Sequence, residues 1–305
     1  MAEHAGSQDL LVTLLGTYFF GQRKPIPSAF LVRLLEEFDV TEIGARNGLS
    51  RVTKRGLLEV SKPGRSTYYR LSDSAHEHHA ERLSEIVDFG GRATTWDGTW
   101  SIVMFSVAEK NRSQRHLIRH RLDAMRFATL YDGVWVRPGP PPTPLKATLE
   151  SLELQKATVI AGARIEEHFG LGDPIRAYSF EHLEERYKSF ITTFAPLLER
   201  VDVGTVGAAE ALVQRARVMQ QWRFFPDHDP LLPPEIQPPQ WPLRQARDIF
   251  VGIYDGLAEL ADLRFRQLLD EYEPALSTDV RSLRSAEIRL MAIPAKEMGP
   301  LTGMP

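Results

Sequence analysis

The 305-residue chain predicts a multidomain α+β protein, and three observations carry that expectation. Three stretches of helical hydrophobic spacing within residues 10–56 run into two short strand patterns flanking Pro63-Gly64. Between residues 101 and 161 the pattern alternates strand, helix, strand, strand, helix, strand. From Ser179 onward the spacing is mostly helical. The length exceeds what one modest core needs, and 43% hydrophobic with 25% charged residues suits a globular chain. The expected domains are 1–74, a helical linker 75–95, a central module 96–175 and a helical region 176–305.

The first helix carries Leu10, Leu11, Leu14, Leu15, Tyr18 and Phe19 and is expected to stop around Gly21. Pro25 and Pro27 punctuate the chain, and Ser28 is the expected N-cap of a second helix with Phe30, Leu31, Leu34, Leu35 and Phe38 on one face. Thr41 caps a third helix to about Gly56, whose Ala45, Leu49 and Val52 form an apolar stripe. Ile43 falls on its polar side, and Gly44 and Gly48 each cost about 1 kcal/mol of helix stability relative to alanine. Leu57–Ser61 and Ser66–Leu71 follow as strands, joined by Lys62-Pro63-Gly64-Arg65, the pattern of a type II turn. Three helices and a basic-tipped hairpin make a winged helix-turn-helix.

Charge marks the same stretch. Residues 41–71 hold Arg46, Arg51, Lys54, Arg55, Lys62, Arg65 and Arg70 against Glu42 and Glu59, while the whole chain has a formal net charge of −3. A local cationic excess in a mildly acidic protein is the footprint of a polyanion. Arg46, Asn47, Ser50 and Arg51 offer donors to base edges and phosphates, and Lys54, Arg55, Lys62, Arg65 and Tyr68 complete the candidate DNA-binding set.

Ser72 to Asp88 is a polar, solvated helical stretch containing His76, His78 and His79. An HExxH zinc helix would need histidine at 80, where Ala80 stands, so no metal is expected. In the central module Ser101–Val107 is a strand, and Asn111–Arg126 a helix with Leu117, Ile118, Leu122 and Met125 inward. Phe127–Tyr131 and Val134–Arg137 form a hairpin about Asp132-Gly133. Thr143-Pro144 opens a helix to Leu152, and Ala157–Ala161 is the last strand. That βαββαβ order is ferredoxin-like. Arg112, Arg115, Arg119 and Arg121 make its first helix basic.

In the helical region Leu183, Tyr187, Phe190, Ile191 and Phe194 form one stripe, and Leu212, Val213, Ala216 and Met219 another. Residues 224–242, FFPDHDPLLPPEIQPPQWP, hold seven prolines and are expected to be an irregular, stiff connection. Gln245–Tyr272 is a final long helix, and the tail after about Pro294 is expected to fray. No cysteine is present, which excludes disulfides and thiolate chemistry. The polar start lacks a leader pattern and no apolar run spans a bilayer, so a cytoplasmic protein without membrane association is expected. No G-x-S-x-G, HExxH, P-loop or GxGxxG spacing occurs, so neither catalysis nor a cofactor is expected.

Several segments together resemble the PaaX-like repressors of phenylacetate degradation. They are LLVTLLGTYFFG, GLSRVTKRGLLE with GRSTYYRLSD, WDGTWSIVMFSV with FATLYDGVWVRPG, and WRFFPDHDPLLPPEIQPPQWP, in order between about residues 10 and 260. The resemblance implies a homodimeric winged-helix repressor bound to an inverted-repeat DNA operator. It implies release by an aryl-acetyl-CoA thioester such as phenylacetyl-CoA. Trp222, Phe225 and Trp241, near the proline-rich stretch, are the candidate aryl pocket, with Arg223 toward a CoA phosphate. The central module also resembles the ferredoxin-like nucleases of CRISPR systems. Its first strand ends Phe105-Ser106-Val107, with Glu109 the nearest acid, which leaves a nuclease or a protein-interaction adaptor as the alternatives.

Overall fold

A computed structural model describes residues 7–19, 23–92, 95–108, 111–152, 154, 156–170, 172–278 and 280–291, with side chains at 7, 77–80 and 291 excepted. Gly21, Glu109, the side chains of His78 and His79, and the tail after Pro294 therefore lie outside the described residues. The chain forms two compact units, neither continuous in sequence: 1–91 with 189–226 and 244–305, and 92–188 with 227–243. Both mix helices with a small antiparallel sheet, so the α+β, multidomain expectation holds.

The first unit begins with α1 (Ser7–Tyr18), β1 (Ile26–Pro27), α2 (Ser28–Glu36) and α3 (Glu42–Lys54). The hairpin strands β2 (Leu58–Ser61) and β3 (Tyr68–Leu71) follow, and the sheet order is β1-β3-β2. Strand β1 was hidden in the sequence by its flanking prolines. Ser28 is not a cap: Pro27 holds that position without a side-chain bond, and Ser28 N–H donates to Thr67 O at 2.8 Å. The second hairpin strand starts at Tyr68, opposite Ser61, rather than at Ser66.

Helix α4 (Asp73–Asp88) is capped by Ser72, whose hydroxyl accepts from Ala75 N–H at 3.2 Å. It is not a solvated linker. Ala75, Leu83, Ile86 and Val87 are buried, because their spacing gives the helix a core-facing stripe that its polar composition obscured. The unit continues through α7 (Glu181–Asp202, from residue 189), α8 (Ala208–Trp222) and the short α9 (Phe224–His228, to residue 226). The proline-rich stretch thus starts as a helical turn and later holds a 3-10 turn at Pro234–Ile236.

The expected last helix is two, α10 (Leu243–Gly256) and α11 (Ala258–Asp270), broken at Leu257 beside a glycine. Gly256 is required there, since a Cβ would stand 2.6 Å from Val201 Cγ1 of α7. Two further helices lie in the tail, α12 (Pro274–Ser277) and α13 (Ser285–Met291). Ser285 ties α13 to α10 by donating from N and Oγ to Asp255 at 2.7 and 2.5 Å.

The second unit is built on β4 (Trp100–Phe105), α5 (Arg112–Ala124), β5 (Ala128–Tyr131), β6 (Val134–Pro138), α6 (Leu145–Ser151) and β7 (Ala157–Ala163). Its four strands are antiparallel in the order β5-β6-β4-β7. Period-two alternation gives both faces an apolar layer. Val103, Phe127 and Trp135 pack with Ile118 and Leu122 of α5, while Trp100, Ala128 and Val136 pack with Tyr178, Leu232 and Ile236. Leu117 points outward, 44% exposed, because the core stripe of α5 runs through 118 and 122. Thr143 does not cap α6; Pro144 stands at the N-cap without a side-chain bond.

Among the described residues no helix is long and apolar enough to cross a membrane.

Candidate nucleic-acid interface

Helix α3 owes its start to Thr41, whose Oγ1 accepts from Gly44 N–H at 3.2 Å. Ala45, Gly48, Leu49 and Val52 are buried and fix the helix against its unit. That orientation leaves Arg46, Asn47, Ser50, Arg51 and Lys54 exposed on the other side, and Ile43 as well at 75%. The two glycines do not shorten the helix. Gly44 instead answers a tight contact, since a Cβ there would meet Val40 Cγ1 at 3.3 Å.

The hairpin carries two more of the candidate cations. Lys62 and Arg65 are exposed in the connection between β2 and β3, where Gly64 turns the chain with φ of 66°. Leu58 pairs with Leu71 and Ser61 with Tyr68, so the cationic tip begins directly beyond the last paired residues. Tyr68 is half-buried at the base of the tip, unlike the other candidates.

Ion pairing separates these cations into two groups. Arg46 donates from Nε and Nη2 to Glu42 Oε1 at 3.0 and 2.6 Å. Arg70 is held by Glu59 at 2.6 Å and Asp73 at 3.5 Å, and Arg55 donates to Gln8 Oε1 at 3.5 Å. Arg51, Lys54, Lys62 and Arg65 have no such partner among the described residues. Long cationic side chains left in water with no acid beside them are available to an external anion.

Three family profiles match the chain: a PaaX-like protein profile over residues 6–75, the PaaX protein central Cas2-like domain over 93–173, and the PaaX-like protein C-terminal domain over 178–278. The chain belongs to the PaaX-like family. A curated relative, transcriptional repressor PaaX of Escherichia coli strain K12, is 27% identical over 241 residues, covering 76% of this chain and 74% of the relative. In fold the chain is similar to an uncharacterized protein of Mycobacterium tuberculosis, with a TM-score of 0.56 and 21% identity over 85% of this chain and 97% of that one.

Within the PaaX-like C-terminal region three of the candidate effector residues, Trp222, Arg223 and Phe225, belong to the first unit and are engaged there. Trp222 is fully buried, stacked on Phe250 at 4.7 Å between ring centroids, and donates from Nε1 to Ile86 O at 2.9 Å. Phe225 is buried against Trp222 and Phe190. Arg223 donates to Thr13 Oγ1 at 3.1 Å. Trp241 belongs to the other unit, where it meets Phe180 and Tyr187 edge-on and Asp229 Oδ2 at 3.4 Å. Asp229 is buried and also accepts from Tyr187 Oη at 2.7 Å and Leu231 N–H at 2.6 Å, and burial raises its pKa above the usual carboxylate range. The aromatic signature of the proline-rich stretch is spent on core packing.

The charged group that the sequence concealed is Arg215. It is 1% exposed on α8, donating to Tyr254 O at 2.8 Å and Leu283 O at 2.9 Å, with its guanidinium 3.9 Å over the Tyr254 ring. Burial opposes its charge, and Tyr254, Tyr18 and Asp262 overcome that and hold it cationic. Its only outward signal was a position on the inner side of α8 beside Leu212, Ala216 and Met219.

Proposed function

We propose that this protein is a DNA-binding transcriptional repressor of a phenylacetate-type catabolic operon, built as a winged helix-turn-helix on a ferredoxin-like central module. The single observation that carries the reading is the exposed cationic set of α3 and the hairpin tip, in which Arg51, Lys54, Lys62 and Arg65 have no acid partner among the described residues. Arg46, Asn47, Ser50 and Arg51 contact base edges and phosphates from α3, and Lys54, Arg55, Lys62 and Arg65 contact phosphates. The curated relative's name, a transcriptional repressor, supports the same reading.

The functional form is a homodimer on an inverted repeat, its two α3 helices about 34–36 Å apart in successive major grooves. Strand β7, exposed and uncharged at the edge of its sheet, supports pairing with a second copy. Release follows binding of an aryl-acetyl-CoA thioester such as phenylacetyl-CoA, which must prefer the released conformation to shift the balance.

The test is a gel-shift titration against the upstream intergenic DNA of the protein's own operon. Affinity is expected to fall steeply as salt rises from 50 to 200 mM, by about a thousandfold for six phosphate contacts. Phenylacetyl-CoA is expected to weaken it further. Binding that ignores both salt and sequence competition overturns the reading, and magnesium-dependent cleavage of the DNA promotes a nuclease instead.

A further inference from the structure

In the first unit, a cavity of about 310 Å³ lies between the base of the hairpin and α12. Its walls are mostly flat and apolar: Pro25 and Pro63, the half-buried Tyr68, and Ala275 with Leu276 of α12. Besides the Tyr68 hydroxyl, the polar residues of its lining are Lys24 and Ser61 on the hairpin side and Glu273 beside α12. The volume sits at the lower end of ligand pockets, enough for one ring and a short arm but not for a nucleotide. One lysine opposed by one glutamate also disfavours a cluster of phosphates inside.

We propose that this cavity binds a single-ring aromatic acyl group, its carbonyl or carboxylate oxygen turned to Lys24 and Ser61 and its ring against Tyr68, Pro63 and Leu276. The assignment rests on the effector half of the function proposed above, with any carrier of the acyl group remaining outside. It also gives Tyr68 a role the DNA-binding set does not: that side chain lines a ligand cavity rather than standing free at the tip.

The position explains how a ligand would act. Ser61 and Tyr68 are the last register pair of β2 and β3, and Tyr68 also pairs with Pro27 of β1. Pro63 lies in the connection that carries Lys62 and Arg65. A ring wedged between these residues and α12 bears directly on the cationic tip. No long-range pathway is needed, only a differential affinity for two hairpin positions.

The experiment is calorimetric titration of the full chain with phenylacetyl-CoA, phenylacetate and CoA, with hydrogen exchange followed in parallel. Two variants accompany the wild type: Ala275→Trp, which fills the cavity from the exposed side of α12, and Lys24→Ala, at an exposed position. Phenylacetyl-CoA is expected to bind and to slow exchange within 58–71 and 273–277. Each variant is expected to weaken that binding by about tenfold or more, and Ala275→Trp should keep wild-type DNA affinity and melting temperature. If phenylacetate alone slows the same segments, the site takes the free acid as well, and the proposal stands. Undiminished thioester binding by both variants, with those segments unprotected, overturns the site while leaving the repressor reading intact. Failure of all three compounds to bind, with DNA binding retained, overturns both the site and the effector half of that reading.

Discussion

Arg51 and Arg215 sit in the same unit and carry the same charge, yet the fold treats them in opposite ways. Arg51 stands in water on α3 with Lys54, and beyond it Lys62 and Arg65, none matched to an acid among the described residues. Arg215 is enclosed by Tyr254, Tyr18 and two backbone carbonyls, close enough to Asp262 for the carboxylate to favour its charged form. A surface charge contributes little to folding and keeps its field for a partner. A buried one is costly to desolvate and, once compensated, destructive to remove. The first kind is open to a partner, and the second belongs to the architecture.

The comparison is broken most severely at Arg215. Arg215→Met removes the donor to Tyr254 O and Leu283 O and leaves both acceptors unpaired in the interior, so stability is expected to fall by about 2–5 kcal/mol. Adding Asp262→Asn should recover part of that loss, because the two residues share one electrostatic account. Urea denaturation of the single and double variants measures both. The DNA affinity of whatever remains folded should be unchanged, and a selective loss of DNA binding at full stability would contradict the division of labour.

The converse change is a triple reversal, Arg46→Glu, Arg51→Glu and Arg65→Glu. Stability should move by no more than about 0.5 kcal/mol at Arg51 and Arg65, and by about 1 kcal/mol at Arg46, where reversal turns its pair with Glu42 into a like-charge pair. Affinity for operator DNA should drop by on the order of a hundredfold or more, with a shallower salt dependence. A variant that binds like the wild type removes α3 and the tip from the interface.

The enclosed cluster also has a pH signature. Burial pushes the Tyr18 phenol up to about 12 from 10.0, with Arg215 opposing the shift. The folded state therefore favours the neutral phenol. That contribution is fully present below pH 10 and is lost as pH rises through about 12; a two-unit shift corresponds to about 2.7 kcal/mol. Alkaline unfolding of the wild type, followed by far-UV circular dichroism, should be shifted to higher pH in Tyr18→Phe, which has no proton to lose.

Much of the structure that exposes the candidate cations was legible in the sequence because it is local. Thr41 three residues before Gly44, and the 45–49–52 stripe, determine both where α3 starts and which side it hides. The hairpin was legible from Pro63-Gly64, but strand β1 was not, since two residues, one of them Pro27, carry no periodicity and acquire strand geometry only by pairing with β3. Trp222 and Phe225 misled for a related reason. An aromatic side chain has the same composition in a core as in a pocket, and only packing against Phe250 and Phe190 decides. The cavity beneath the tip joins Lys24 to Leu276, a juxtaposition that no spacing along the chain encodes.

The finest distinction lies within the surface group itself, between Arg51 and Arg46. Arg46 is already occupied by Glu42 one turn away, with both side chains well exposed, at 62% and 59%. An exposed i,i+4 pair contributes about 0.3–0.5 kcal/mol, and Glu42 in the first turn adds a helix-dipole term of about the same size. Glu42→Gln should therefore lower stability by under about 1 kcal/mol while releasing Arg46 and removing a negative charge from the face. Operator affinity should rise by about threefold at low salt, and the gain should fade at high salt as the field is screened. Equal affinity at all salt concentrations would mean that Arg46 meets no phosphate. The cationic surface would then narrow to Arg51, Lys54, Arg55 and the hairpin tip, whose side chains reach the anion without first giving up an acid.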